Sequence, residues 1–326
     1  MQTPTLTPTL IALDWGTTSL RAYAYAPGGQ VLERRHSPHG ITQLPAPGEA
    51  GFAQALSALV GDWVAASPGA PLVACGMVGS AQGWREAAYV PVPTGLGQLA
   101  SRATALPLDA LGGPFAGKLL HILPGLIEHG ELPNVMRGEE TQIFGALQTL
   151  PQPAGRPLVI GLPGTHSKWA RVEQGAVVHF DTFMTGEVYA ALCSHTILGR
   201  TMERGGTLQP LAFERGLRVA ASQLGAHGAL GTIFSSRALG LTGALAPAEQ
   251  PDYLSGLLIG HEVQALARQW GSALPDIWLI GDEALCGRYA QALRLSGITD
   301  ARWLPQATET GLWHLGRAIA ATTASI

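Results

Sequence analysis

The sequence predicts a two-lobed α/β fold in which each lobe opens with a three-stranded β-meander. Three observations predict it. A hairpin pattern near the start recurs 148 residues later, so that Gly16, Thr17, Ser19 and Ala22 fall on Gly164, Thr165, Ser167 and Ala170 without a gap. A repeat at that distance marks a duplicated half, not a solenoid. After each hairpin, strand-like runs alternate with helical spacing, the pattern of α/β layers. Finally, 326 residues exceed one typical domain, yet no low-complexity linker separates the halves. The expected division is an N-terminal lobe over residues 1–138 and a C-terminal lobe over 139–326, with a return of the last helix to the first lobe left open.

Each element has a local reason. Residues 10–15 and 20–25 are β-rich runs around the turn Gly16-Thr17-Thr18, and Pro27-Gly28-Gly29 turns the chain into a third strand over 30–35. From Gly48 to about Ala66, Phe52, Leu56, Leu59, Val60 and Trp63 recur with helical period. A short buried strand is expected over 72–76, a further strand over 118–123 and a helix over 139–150. The second hairpin spans 158–170, with its own turn at Gln174-Gly175 and a third strand over 177–180. Helices are then expected over 185–198, 210–223, 251–270, 283–296 and 308–322, and strands over 277–281 and 301–304.

Composition excludes several classes. Hydrophobic residues make up 46% and charged residues 13%, which rules out an intrinsically disordered chain. Twenty basic against 23 acidic residues give a net charge of −3 and a pI near 6.4, so neither a nucleic-acid binder nor a polybasic membrane anchor is expected. Cys75, Cys193 and Cys286 are widely spaced and lack metal-ligand spacing, as buried thiols of a reducing compartment do. No leader pattern opens the chain and no membrane span is foreseen, so a cytoplasmic location is expected. His36 and His39 lie in a Pro-containing loop with no third ligand, and no P-loop motif occurs.

The two Gly-Thr turns carry the chemistry. A tight turn between strands gathers backbone N–H groups and hydroxyls around one small volume, which suits a phosphate. Asp14 ends the first strand beside Gly16, Thr17 and Thr18. A carboxylate next to phosphate is repelled unless a cation lies between them, so Asp14 reads as a ligand of Mg²⁺ or of its water. In the second turn Gly164, Thr165 and Ser167 are joined by Lys168, one of only two lysines in the chain. A lysine kept among so many arginines points to phosphate oxygens, because the two cations are not equivalent there. His166 receives no proton-transfer role.

The strings Asp14-Trp-Gly-Thr-Thr-Ser19 and Gly164-Thr-His-Ser167 resemble the two phosphate loops of the sugar-kinase, actin and heat-shock ATPase superfamily. That resemblance implies the actin-like ATPase (ribonuclease H-like) fold, with ATP in the cleft between lobes. Gly281, Asp282 and Leu285 resemble its adenosine motif. Within the superfamily the chain resembles the 2-dehydro-3-deoxygalactonokinase family through five segments. They are Gly76–Glu86, Met136–Gln142, Leu162–Trp169, Phe234–Arg237 and Gly256–Glu262.

The resemblance implies ATP and Mg²⁺ as cofactors and a small sugar acid as partner, and it leaves room for a homodimer. Related sugar kinases open the helix before the second hairpin with a catalytic Asp. Here Glu139 follows Gly138 at that place, with Glu140 as the alternative base. A six-carbon keto acid calls for an arginine fork, for which Arg85 and Arg137 are the candidates, and Trp84 is a candidate surface for its carbon chain. The expected reaction moves the γ-phosphate of ATP to the terminal hydroxyl of 2-dehydro-3-deoxy-D-galactonate, giving the 6-phosphate. The alternatives are a kinase for another keto-deoxy acid and a nucleotide-driven scaffold of the actin and heat-shock kind.

Overall fold

A computed structural model describes residues 7–151 and 157–323; residues 1–6, where the absence of a leader was read, lie outside the described residues. Two compact units divide the chain. The first holds residues 7–151, Val172–Phe180 and 306–323, and the second holds 157–171 and Asp181–Pro305.

The first unit opens with strands β1 (Leu10–Trp15), β2 (Leu20–Tyr25) and β3 (Val31–Ser37), followed by helix α1 (Gly48–Ala66) and β4 (Leu72–Gly76). Next come β5 (Val90–Pro91), β6 (Thr94–Gly95), α2 (Leu96–Ser101), β7 (Thr104–Pro107), β8 (Leu119–Ile122), β9 (Leu126–Glu128), β10 (Asn134–Met136) and α3 (Glu139–Leu147). The main sheet runs β3-β2-β1-β4-β8-β7, with β1, β4 and β8 parallel. A small sheet runs β10-β9-β5. Four of the six β1 residues are apolar and wholly buried before Asp14, as expected of a strand covered on both faces. The α1 stripe of Phe52, Leu56, Leu59, Val60 and Trp63 packs with Ile11, Leu13 and Trp15 in one core. Helix α3 stops at Leu147, short of the expected Leu150, because Thr149 and Leu150 both turn back onto the Ala146 carbonyl before Pro151.

The second unit repeats the arrangement. Strands β11 (Leu158–Leu162), β12 (Ser167–Glu173) and β13 (Ala176–Phe183) form its meander. Gln174 and Gly175 both have positive φ, the backbone that a two-residue hairpin turn requires. Helices α4 (Thr185–His195), α5 (Pro210–Ala221), α6 (Gly228–Thr232), α7 (Phe234–Leu241) and α8 (Gln250–Trp270) follow, then β14 (Asp276–Leu279), α9 (Glu283–Leu295) and β15 (Arg302–Trp303). Strand order is β15-β14-β11-β12-β13, the same as β8-β4-β1-β2-β3 in the first unit. The duplication read from two hairpins therefore extends over five strands. The end of β12 and most of β13 (Val172–Phe180) belong to the first unit, where Ala176 and Val177 pair with Gly95 and Thr94.

The closing helix α10 (Ala307–Thr323) lies in the first unit and packs on α3. Gly145 and Gly311 make this contact possible, since a Cβ on either would overlap a carbonyl oxygen of the facing helix. Helix α3 is thus held from behind, with its N-terminus at the carboxyl end of the first sheet. Among the described residues no helix is long and apolar enough to cross a membrane.

Candidate active site

In the first unit the site is built where β1 and β4 end. Their parallel register sets Asp14 beside Cys75 and Trp15 beside Gly76. Across the hairpin Asp14 faces Arg21, whose Nη1 approaches Oδ2 to 3.2 Å. Burial raises the Asp14 carboxyl above its usual range, and the Arg21 charge opposes that rise. The loop after β3 fastens the turn from behind. Ile41 N–H donates to the Gly16 carbonyl at 3.1 Å, and Thr42 N–H and hydroxyl both donate to the Thr17 carbonyl. The carbonyls are thereby engaged on one side, while Thr17 and Thr18 stay exposed.

Gly138 carries the chain into α3 with φ +109, and a Cβ there would lie 3.5 Å from the Gly76 Cα. That backbone sets two consecutive carboxylates at the helix start, where the macrodipole favours negative charge. Their environments differ. Glu140 is wholly buried; its Oε2 accepts the Gly138 N–H at 2.6 Å and its Oε1 the Thr141 hydroxyl at 3.1 Å. Burial, with the neighbouring Glu139 charge, pushes its carboxyl up to about 8, so it is largely protonated at neutral pH. Glu139 is only half-buried and accepts the Arg137 backbone N–H at 3.0 Å. The Cys75 thiol lies in the same neighbourhood, pushed up by burial and by the Asp14 and Glu140 charges.

Arg137 is locked in place. Its Nη2 donates to the Ala87 carbonyl at 2.8 Å, and its guanidinium lies over the Tyr89 ring. Gly79 leaves room for it, since a Cβ there would come 3.0 Å from Nη1. Nε and Nη1 are buried without a partner among the described residues. Arg85 is exposed. The Trp84 ring is 8% exposed, stacked on Phe52 at 5.7 Å and edge-on to Trp15, so it lies in the core with little surface for a ligand.

The second unit contains a cavity of about 560 Å³. Gly164 and Thr165 of the second turn line it, as do Thr185, Gly186 and Tyr189 of α4, Ser255, Leu258 and Ile259 of α8, and Asp282 before α9 with Leu285, Arg288 and Tyr289 of that helix. Asp282 caps α9 by accepting the Leu285 N–H at 2.9 Å. Gly281, with φ +140, turns the chain from β14 into that cap. A Cβ on Gly164 would meet nothing within 4 Å, and its φ lies outside the left-handed region. No packing or backbone demand therefore explains glycine there.

The other two residues of the second turn point elsewhere. Ser167 is buried, with its hydroxyl 2.9 Å from the Tyr289 hydroxyl. Lys168 is 5% exposed and donates to the Thr182 hydroxyl on β13. His166 pairs with Glu187.

Sequence reasoning missed several of these residues. Arg21 had a usable signal: a hairpin turning at 16–19 sets residue 21 opposite residue 14. Thr185, Tyr189 and Arg288 gave none, because only the packing of α4 and α9 brings them to one wall. Among the described residues no group of three or more His, Cys, Asp or Glu gathers as a metal site. A single carboxylate still suits Mg²⁺, which is commonly held by one or two carboxylates together with phosphates and water. Asp14, partly exposed beside an open turn, is a donor of that type.

Comparison with known proteins gives consistent matches. The family model described as 2-keto-3-deoxy-galactonokinase matches residues 14–315. DgoK1 of Rhizobium meliloti (strain 1021), assigned as a 2-dehydro-3-deoxygalactonokinase, is 37% identical over 312 residues, covering 94% of this chain and 96% of its own. The 2-dehydro-3-deoxygalactonokinase of Escherichia coli (strain K12) is 34% identical over 296 residues, covering 90% and 91%. The crystal structure of a Sinorhizobium meliloti protein assigned to the same activity matches with a TM-score of 0.83 at 36% identity, covering 95% of this chain and 99% of that one.

Proposed function

The chain belongs to the 2-keto-3-deoxy-galactonokinase family, and from that premise we propose that it transfers the γ-phosphate of ATP to the terminal hydroxyl of 2-dehydro-3-deoxy-D-galactonate. One observation carries the acidic-substrate half of this reading. Among the described residues, two guanidinium nitrogens of Arg137 are buried with no acceptor. Leaving such donors unmet costs about 1–3 kcal/mol each, so they call for an acceptor from outside, and a carboxylate is the strongest one. Exposed Arg85 is a secondary contact at the rim.

The nucleotide occupies the second unit's cavity. Its phosphates lie against Gly164 and Thr165, and its adenosine lies toward Gly281, Asp282 and Leu285 at the start of α9. In the first unit, Gly16, Thr17 and Thr18 offer the same kind of phosphate donors. Ser167 and Lys168 hold β12 in place behind the turn. Asp14 would hold Mg²⁺, directly or through water, and the ion would supply charge neutralisation to the phosphates of ATP.

Glu139 accepts the hydroxyl proton. A base must be ionised and reachable, and Glu140, buried with a carboxyl raised to about 8, is neither at neutral pH. Phosphoryl transfer asks little covalent chemistry of the protein, so positioning and fixed charge do most of the work. ATP turnover measured with and without the sugar acid tests the reading. Turnover should require the acid and yield one equivalent of its 6-phosphate. ATP hydrolysis that ignores the acid would sink it.

A further inference from the structure

Glu262 of α8 is 3% exposed and serves no step above, yet it draws together the walls of the second unit's cavity. Its Oε1 accepts Trp169 Nε1–H at 2.7 Å, from the strand that follows the second turn. Its Oε2 accepts the Tyr289 hydroxyl of α9 at 2.8 Å and the Thr185 hydroxyl at the start of α4. Ser167 stands 3.4 Å from the same oxygen and 2.9 Å from the Tyr289 oxygen. Because Tyr289 gives its proton to Glu262, the shorter contact makes Ser167 the donor to Tyr289.

One carboxylate on α8 therefore gathers donors from β12, α4 and α9. Thr185 and Tyr289 also line the cavity. The inward carboxylate has a desolvation cost that an apolar residue would avoid. Burial raises its carboxyl, and the hydroxyl and indole donors oppose that rise. Three donors meeting one carboxylate fix the spacing of three elements more sharply than apolar packing does.

We propose that Glu262 is the positioning residue of the nucleotide cavity, setting the wall formed by Thr185 and Tyr289 against the Gly164-Thr165 turn. The inference rests on the reading that this cavity takes ATP. Gly186 ties the two parts together, because a Cβ there would overlap the Gly164 carbonyl, and Glu187 N–H donates to the Thr165 carbonyl at 3.0 Å. A shift of Thr185 therefore moves the turn that meets phosphate.

Titration calorimetry with ATP, alongside KM for ATP and for the sugar acid, tests the proposal in Thr185→Val, Tyr289→Phe, Glu262→Gln and Glu262→Ala. Thr185→Val and Tyr289→Phe keep shape and lose one hydroxyl each. Each should weaken ATP binding by about threefold to tenfold and leave the KM for the acid unchanged. Glu262→Ala should do so more strongly. Glu262→Gln should recover part of the loss, since its oxygen can still accept from Trp169 and the hydroxyls can turn to accept from its amide. Gly164→Val separates the two readings. Normal ATP binding in Gly164→Val removes the cavity reading itself. Lost binding there, with ATP affinity within twofold of wild type in both hydroxyl variants, overturns the role of Glu262 alone, even if the Glu262 variants do not fold. Equal changes in both KM values would also overturn it, as they mark a general loss of structure.

Discussion

The guanidinium of Arg137 lies 4.3 Å from the centroid of the Tyr89 ring, with its Nη2 donating to the Ala87 carbonyl. An arginine stacked and anchored in this way has already lost most of its side-chain freedom, so binding an anion costs little further ordering. Arg137→Ala should raise the KM for the sugar acid by about tenfold to a hundredfold and leave that for ATP nearly unchanged. Arg137→Lys keeps the charge without the planar fork and should fall between the two. Arg85→Ala should have a smaller effect, because its head is already in water. Steady-state kinetics with each substrate varied in turn checks the set, and an unchanged acid KM in Arg137→Ala would reopen the choice between acidic and neutral sugars.

Gly16 and Gly164 occupy matching places in the two meanders. A Cβ on Gly164 meets nothing within 4 Å, and one on Gly16 meets only the Ser19 carbonyl at 3.5 Å. Valine at either position should therefore leave the fold intact while blocking the approach of phosphate. Thermal unfolding should stay within a few degrees of wild type, and calorimetry should show ATP binding weakened by at least about tenfold.

Removing the base should affect the chemical step. Glu139→Gln should lower kcat by about 10²–10⁴ with little change in ATP affinity. Glu140→Gln, an isostere of the protonated acid, should retain far more activity. The reverse pattern would assign the proton to Glu140, and two active variants would remove both from that role.

The raised carboxyl of Glu140 also predicts a pH dependence of stability. Its folded value of about 8 lies above the usual 4.5, so between those values the folded state holds a proton that the unfolded state has released. Stability from this group is complete below about pH 4.5 and is lost as pH rises toward 8, by at most ~1.4 kcal/mol per unit. Denaturant unfolding of wild type and Glu140→Gln at several pH values isolates it. The stability difference should move in favour of the Gln variant as pH rises from 5 to about 8. A difference that does not vary with pH would mean that Glu140 is ionised throughout.

Period and turn chemistry are properties of neighbouring residues, so the long helices and the strands of both meanders were legible in the chain itself, while the short strands β5–β7, β9 and β10 and the helices α2, α6 and α7 were not. Helical spacing over 48–66 becomes α1, and the recurrence of Gly-Thr-x-Ser becomes two meanders that share one strand order. The family was legible for the same reason, since its signature strings are contiguous. Side-chain environment is another matter. Glu139 and Glu140 are adjacent and chemically alike, yet one is wholly buried and the other partly open at the start of a helix set between the end of β4 and α10. Trp84 and Arg137 come from segments with similar signals, yet one ring enters the core against Phe52 and one guanidinium keeps two nitrogens unmet. Glu262 lies 95 residues from Ser167 and 27 from Tyr289, and nothing local links them. Burial and partnership depend on elements far apart in the chain, and the desolvation that sets charge and hydrogen bonding arises only once they pack.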